Sequence, residues 1–370
     1  MDSIKTRLLQ MHGSRGWLTL GVVALLLCVL VPVLNRGLDP SSPLHAPDYL
    51  VALLGKFMCF AMVAIAMDLI WGYTGILSLG HGVFFALGGY AMGMYMMRAM
   101  AGEGVYRSEL PDFMVFLDWK ELPWFWYGFD NFFFALAMAV LIPGVLAYVF
   151  GYFAFRSRIG GVYFSIITQA MTFAFMLYFF RNDAGFGGNN GLTDFKRIYG
   201  YPLAESSTKV GLYVISAVLL LATYLLCRFI VTGRLGRLIR AIRDHEGKVM
   251  FTGYNPLKFK LFVWTLSAML CGLAGALYVP QVGIINPSEM EPANSIEMAI
   301  WVAVGGRASL IGAPVGAFLV HGARSWFTVE FPDYWLFFLG ALFIVVTLFF
   351  PQGVVGAART AWGRFRKVAS

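Results

Sequence analysis

The chain has 370 residues, of which 59% are hydrophobic and 13% are charged. Soluble domains average about 25% charged and 45–50% apolar residues, so a water-soluble globule is excluded and most of the chain belongs in lipid. The net charge of +8 is distributed over particular loops and both ends, a pattern that reports membrane orientation and argues against a nucleic-acid surface.

The first apolar run, 17–34, follows Lys5, Arg7 and Arg15. It leads into Asn35-Arg36-Gly37 without a small-x-small cleavage pattern and exceeds a usual signal core, so it reads as a retained first helix. Further runs occupy 49–70, 81–97, 132–155, 161–180, 211–230, 261–279, 310–326 and 335–350. A shorter one, 296–305, could cross only about half of the hydrocarbon at 1.5 Å per residue. The expectation is an all-α polytopic membrane protein, one domain over 1–370, with about ten transmembrane helices of which one is short or broken.

Each crossing flips the side on which Lys and Arg should gather. With ten crossings, the N-terminal Lys5, Arg7 and Arg15, the Arg156–Arg158 turn, the 234–260 loop, Arg307, and the tail with Arg359, Arg364, Arg366 and Lys367 all fall on the cytoplasmic side. Both termini are then cytoplasmic. Two long outward loops remain, 98–131 and 181–210; the first holds the aromatic cluster 121–127, expected at headgroup level. Cys28, Cys59, Cys227 and Cys271 lie in apolar runs without metal or CxxC spacing and read as core filler. Lys56 and Asp68 share one helix about 18 Å apart, too far to pair. Each is expected to snorkel from an end, with Asp68 a lesser functional candidate.

The 234–260 loop is too polar for lipid and too short for a domain. Leu238, Ile239, Ile242 and Val249 stand near helical spacing, and Gly253 with Asn255-Pro256 supplies a stop. Either it is a basic loop resting on anionic lipid, or it is a membrane-parallel helix presenting Arg243, Asp244, His245 and Glu246 to a cytoplasmic partner. Upstream, Gly72, Gly75 and Gly80 surround Ser78 and His81. Glycines so placed permit a helix break whose freed backbone groups must face protein or a cavity, and transporters put polar ligands at such breaks. The alternative is a packing motif with His81 bonded to a neighbouring backbone. The same Gly-x-x-Ser-Leu spacing recurs at Gly306 to Leu310, beside Gly305 and Gly312. A polar-dotted helix at 161–180 contributes Ser165, Thr168 and Gln169. Ser78, His81, Thr168 and Gln169 are the pathway candidates.

The run Arg240-Ala241-Ile242-Arg243-Asp244-His245-Glu246 with Gly253, the stretch 72–90, the stretch 161–170 with 186–194, and Gly305-Gly306 through Gly316-Ala317 together resemble the branched-chain amino acid and urea branch of the ABC importer permeases. Gly247-Lys248 departs from the small apolar residues usual in that family. The resemblance implies that the 234–260 loop couples to an ATP-binding subunit. It also implies a complex with two ATP-binding subunits, a second homologous permease and a periplasmic substrate-binding protein in a bacterial inner membrane. The chain has no GxxxxGK[ST] loop, so it binds no cofactor itself, ATP belongs to the partners, and the chain is no enzyme; nucleic acid is not a partner. A passive channel would not need the docking loop. An intramembrane Ser78–His81–Asp68 triad lacks any supporting hydrolase motif. For the cargo, spans poor in charge but holding Ser78, Ser165, Thr168 and Gln169 favour a neutral solute, urea; a branched-chain amino acid, which rewards charged partners, is the alternative.

Overall fold

The computed structural model describes residues 11–349 and 352–368; Lys5, Arg7 and residue 350 of the last apolar run lie outside them. In chain order the helices are α1 (Ser14–Arg36), α2 (Asp48–Thr74), α3 (His81–Arg98), the short α4 (Asp112–Phe116), α5 (Phe132–Arg156), α6 (Val162–Phe179) and α7 (Ser206–Thr232). They continue with α8 (Arg234–Phe251), α9 (Pro256–Val282), α10 (Pro292–Gly305), α11 (Gly312–Glu330), α12 (Trp335–Phe349) and α13 (Gly353–Val368). Four two-residue strands form two antiparallel pairs: β1 (Leu192–Thr193) with β4 (Ile284–Ile285), and β2 (Arg197–Ile198) with β3 (Tyr201–Pro202).

Six helices among the described residues are long and apolar enough to cross a membrane: α1, α2, α5, α6, α7 and α9. The runs at 81–97, 310–326 and 335–350 form α3, α11 and α12, which are shorter or more polar. The short run 296–305 lies in α10, whose 14 residues extend about 21 Å.

The core is built from α2, α3 and α9, with α5 and α7 flanking and α10–α11 packed on α2 as a hairpin. These central helices are apolar all round, as helices buried among others must be. The outer ones turn large apolar side chains outward, including Leu18, Val145 and Phe153. Small residues set the spacing: a methyl on Gly275 would overlap the Phe85 carbonyl, so the α3 and α9 backbones touch. Boundaries have local causes. The Asn131 side chain accepts the Phe133 and Phe134 amides at the start of α5, and Asn255 caps α9 ahead of Pro256. In α1 a π-helical turn, Leu26–Leu30, precedes Pro32, which has no N–H to continue the ladder.

At one end, Asp48 ties three helices together: Asn35 of α1 and Ser206 of α7 donate to its Oδ1 at 3.0 and 2.8 Å. At the same end the 121–127 aromatic cluster is only partly at the surface. Trp124 is exposed, but Trp126 is buried and its indole N–H donates to the Gly185 carbonyl at 2.9 Å. Its immediate anchor is therefore another loop of the protein.

Candidate functional site

α2 ends at Gly75, whose φ of 76° terminates the helix in the left-handed region. Residues 75–80 then run without helix to His81, the first residue of α3. The His81 ring lies 2.8 Å from the Ser267 hydroxyl, which donates to the Ala66 carbonyl. Ala66 is eight residues, about 12 Å, before the end of α2, so the chain doubles back and α3 begins inside the bundle. Ser267 spends its proton on Ala66, so His81 Nε2 donates to Ser267, and Nδ1 lies 3.0 Å from the Ser78 hydroxyl.

The freed backbone groups of the break are satisfied from neighbouring helices. Ser165 donates to the Leu77 carbonyl at 2.8 Å, the Leu79 amide donates to Thr168 at 3.1 Å, and the Gly82 amide donates to Ser295 at 3.0 Å. Ser78, His81 and Thr168 are thus fully buried and bonded to one another's surroundings, with His81 held by two hydroxyls instead of a backbone group. Gln169 is half-buried on the same helix. Ser267 and Ser295 escaped sequence reasoning because a lone serine in an apolar run carries no pattern.

A second break sits against the first. Gly306, at φ 117°, terminates α10, and the chain turns through 306–311 into α11. Gly305 and Gly312 face each other so closely that a side chain on either would strike the other's carbonyl. In both breaks the first glycine of Gly-x-x-Ser-Leu is a helix C-cap. The two are clamped by α2. Asp68 Oδ1 accepts the Ala308 amide at 2.7 Å, the Tyr73 hydroxyl donates to the Ala308 carbonyl at 2.9 Å, and the Arg307 guanidinium lies 4.4 Å from the Trp71 ring centroid. Asp68, fully buried, does not snorkel as expected: a peptide N–H inside the protein replaces water as its partner.

The polar segment forms one element, α8, over Arg234–Phe251, with a kink at His245 (φ −154°, ψ 82°). Gly236, Ile239, Ile242 and Val249 are its buried face; Leu238 is half-buried, and Arg243, Asp244, His245 and Glu246 are exposed at the kink. Arg243 also reaches inward, donating to the Gly72 carbonyl at 2.8 Å while bonding Asp244 at 2.9 Å. A cation on the last carbonyls of α2 complements the helix dipole. Glu246 pairs with Lys260 on α9. Gly253 is exposed at φ 84° in the turn between α8 and α9. Gly72 cannot carry a side chain, which would collide with the Ala308 backbone. α8, the first break and the second break therefore meet around one turn of α2.

The opposite end of α2 holds a second polar cluster, with Lys56, Glu289, Glu297 and Arg324 around one cavity. Burial pushes the Glu289 carboxyl above its ordinary range, opposed by the Tyr278 hydroxyl and by the Lys56 and Arg324 cations. Lys56 is half-buried beneath the Phe60 and Tyr278 rings instead of extending to water. The signal was present in the sequence as Glu297 and Arg324 inside apolar runs, but their pairing crosses two helices.

Two interrupted helices braced together, wrapped by lipid-facing spans and crossed at one end by an amphipathic helix, define a membrane transport subunit. Comparison with known proteins agrees. The family model for the permease component of branched-chain amino acid transport systems matches residues 49–347, and the chain belongs to this family. It is similar to the high-affinity branched-chain amino acid transport system permease protein LivM of Salmonella typhimurium, with 22% identity over 82% of this chain and 69% of LivM. Similarity to the corresponding protein BraD of Pseudomonas aeruginosa is 24% identity over 84% of this chain and 96% of BraD. The ribose import permease protein RbsC of Escherichia coli is 25% identical over a shorter stretch, 36% of this chain and 42% of RbsC. No solved structure gives a significant match. The protein is the permease component of an ABC importer, a multi-pass transport subunit and not an enzyme.

Proposed function

We propose that this chain moves a branched-chain amino acid inward across a bacterial inner membrane, driven by ATP hydrolysis in partner subunits that grip α8. The partners are two ATP-binding subunits, a second permease related to this one and a periplasmic binding protein. α8 and both termini face the cytoplasm, and the Lys56 end faces outward. The amino acid cargo is supported by the names of the relatives. The hydroxyls of Ser78, Ser165 and Thr168, which would have suited urea, are already bonded within the break.

The observation that carries the mechanism is the bond from Arg243 to the Gly72 carbonyl. A transmission element must be short, stiff and outside the bilayer, so that closure of the ATPase pair moves attached spans as a body. α8 continues from α7, leads into α9 after a short turn, and bonds α2 through Arg243. A push on the exposed kink at 243–246 would reach α2, and through Asp68 and Tyr73 the α10–α11 hairpin. The pathway is read as the polar strip beside the breaks, with the half-buried Gln169 its most accessible member.

The test replaces Arg243 with Gln and, separately, Glu246 with Gln in the complete importer. The expected result is normal assembly with loss of substrate-stimulated ATPase activity. If both variants couple normally and only joint neutralisation of Arg234, Arg237 and Arg240 has an effect, α8 is a lipid-held loop and this reading falls.

A further inference from the structure

We infer that the cavity at the Lys56 end, framed by α2, α10, α11 and the segment between α9 and α10, is a cargo-binding site held by this subunit itself, built for a small zwitterion with an apolar side chain. The inference rests on the permease reading above and adds the site and the ligand chemistry.

The cavity measures about 450 Å³, within the range of about 300–1,000 Å³ of small-molecule sites. Two cations, Lys56 and Arg324, and three carboxylates line it: the half-buried Glu289, the buried Glu297, and Glu291, which is exposed to solvent at its edge. Their bonds leave capacity unused. Arg324 donates to Glu297 Oε2 at 2.9 Å and the Tyr278 hydroxyl donates to Glu289 Oε1 at 2.9 Å. Among the described residues, Glu297 Oε1, Trp301 Nε1 and His321 Nε2 each lack a hydrogen-bond partner, although these residues are only 6%, 2% and 4% exposed. All three belong to the cavity wall. Lys56 takes part in none of the ion pairs among the described residues; its ammonium lies 5.6 and 5.8 Å from the centroids of the Phe60 and Tyr278 rings.

Buried polar atoms are ordinarily paired and buried charges ordinarily compensated. A wall with these open valences suits a ligand that brings both signs while remaining neutral overall. A carboxylate would take the Lys56 ammonium and the guanidinium N–H groups that Glu297 leaves free. An ammonium would take Glu297 Oε1 and the carboxylate of Glu289. Phe57, Phe60 and Met298 supply the apolar wall for a hydrocarbon side chain. Urea can hydrogen-bond to groups of either sign but carries no charge to compensate the cations or the carboxylates. A lone amine or a lone acid would answer one and leave the other.

The test measures equilibrium binding of radiolabelled leucine to the assembled permease pair and ATPase subunits in lipid nanodiscs, without the binding protein. The expected result is saturable binding displaced by unlabelled leucine, but not by urea, ribose, 3-methylbutylamine or 4-methylpentanoate. Lys56→Met, which breaks no ion pair, and Glu297→Gln are each expected to weaken binding at least about tenfold, the scale of one charge-assisted bond, in complexes that size exclusion shows to be assembled. No saturable binding, equal displacement by urea, or full affinity in both variants would overturn the site. ATP-driven leucine uptake by the complete importer is measured in parallel. Uptake without such binding removes the site alone, whereas absence of uptake removes the amino acid reading on which it rests.

Discussion

Asp68 and Tyr73 hold the two backbone ends of one residue in place: one accepts the Ala308 amide and the other donates to its carbonyl. Ala308 stands at φ 56°, a conformation that costs a residue with a Cβ roughly 1–2 kcal/mol, so the clamp opposes a local strain. Asp68→Ala would leave a buried N–H without a partner, at a cost of about 1–3 kcal/mol. Asp68→Asn keeps an acceptor oxygen at the same place. Thermal unfolding in detergent should therefore show a lower midpoint for the alanine variant and a near-normal one for asparagine; equal losses would mean that the charge, and not the hydrogen bond, is what matters. The importance of this residue was half legible. An acid inside an apolar run is conspicuous, but its partner lies 240 positions away and is a backbone amide, which no residue pattern announces.

α8 was legible as an element because its apolar positions recur at helical spacing in an otherwise polar stretch, and because Asn255-Pro256 marks the start of the next helix. Ile239, Ile242 and Val249 are buried as that spacing requires. The kink at His245 was not legible, since it reflects how α8 is fitted between α2 and α9. Truncating Ile242, which is 3% exposed, to serine removes a buried side chain and introduces a hydroxyl. The loss should be at least the roughly 2–5 kcal/mol of a large-to-small core substitution, read as reduced recovery of assembled complex. The hairpin of α10 and α11 makes the matching case for backbone contact. Gly305→Ala puts a methyl onto the Gly312 carbonyl, so it should depress folded yield, whereas Gly247→Ala, with open space around it, should be neutral. Equal yields would show that the hairpin can separate.

At the scale of the whole molecule, three basic regions converge on one end, and this convergence supports the proposed orientation. Arg243 bonds Gly72, Arg307 stacks on Trp71, and Arg228 near the end of α7 donates to the Met11 carbonyl at 3.2 Å, which brings Arg15 to the same side. Charge alternation along the sequence implies this grouping, but the number of crossings follows less directly, because α3 begins inside the bundle and α10 is too short to span it. The orientation is open to a direct test. α7 is 27 residues long, about 40 Å, against a hydrocarbon core of about 30 Å, so its two ends emerge on opposite sides. Cys59, Cys227 and Cys271 are buried, and replacing the half-buried Cys28 by alanine leaves little background for a membrane-impermeant maleimide. Ser207→Cys, exposed at the start of α7, should then label in intact cells freed of their outer membrane. Gly247→Cys, exposed on α8 with room for a side chain, should label only after the membrane is opened. The reverse pattern would put α8 outside, beyond reach of any ATPase, and the coupling mechanism would fall with the orientation.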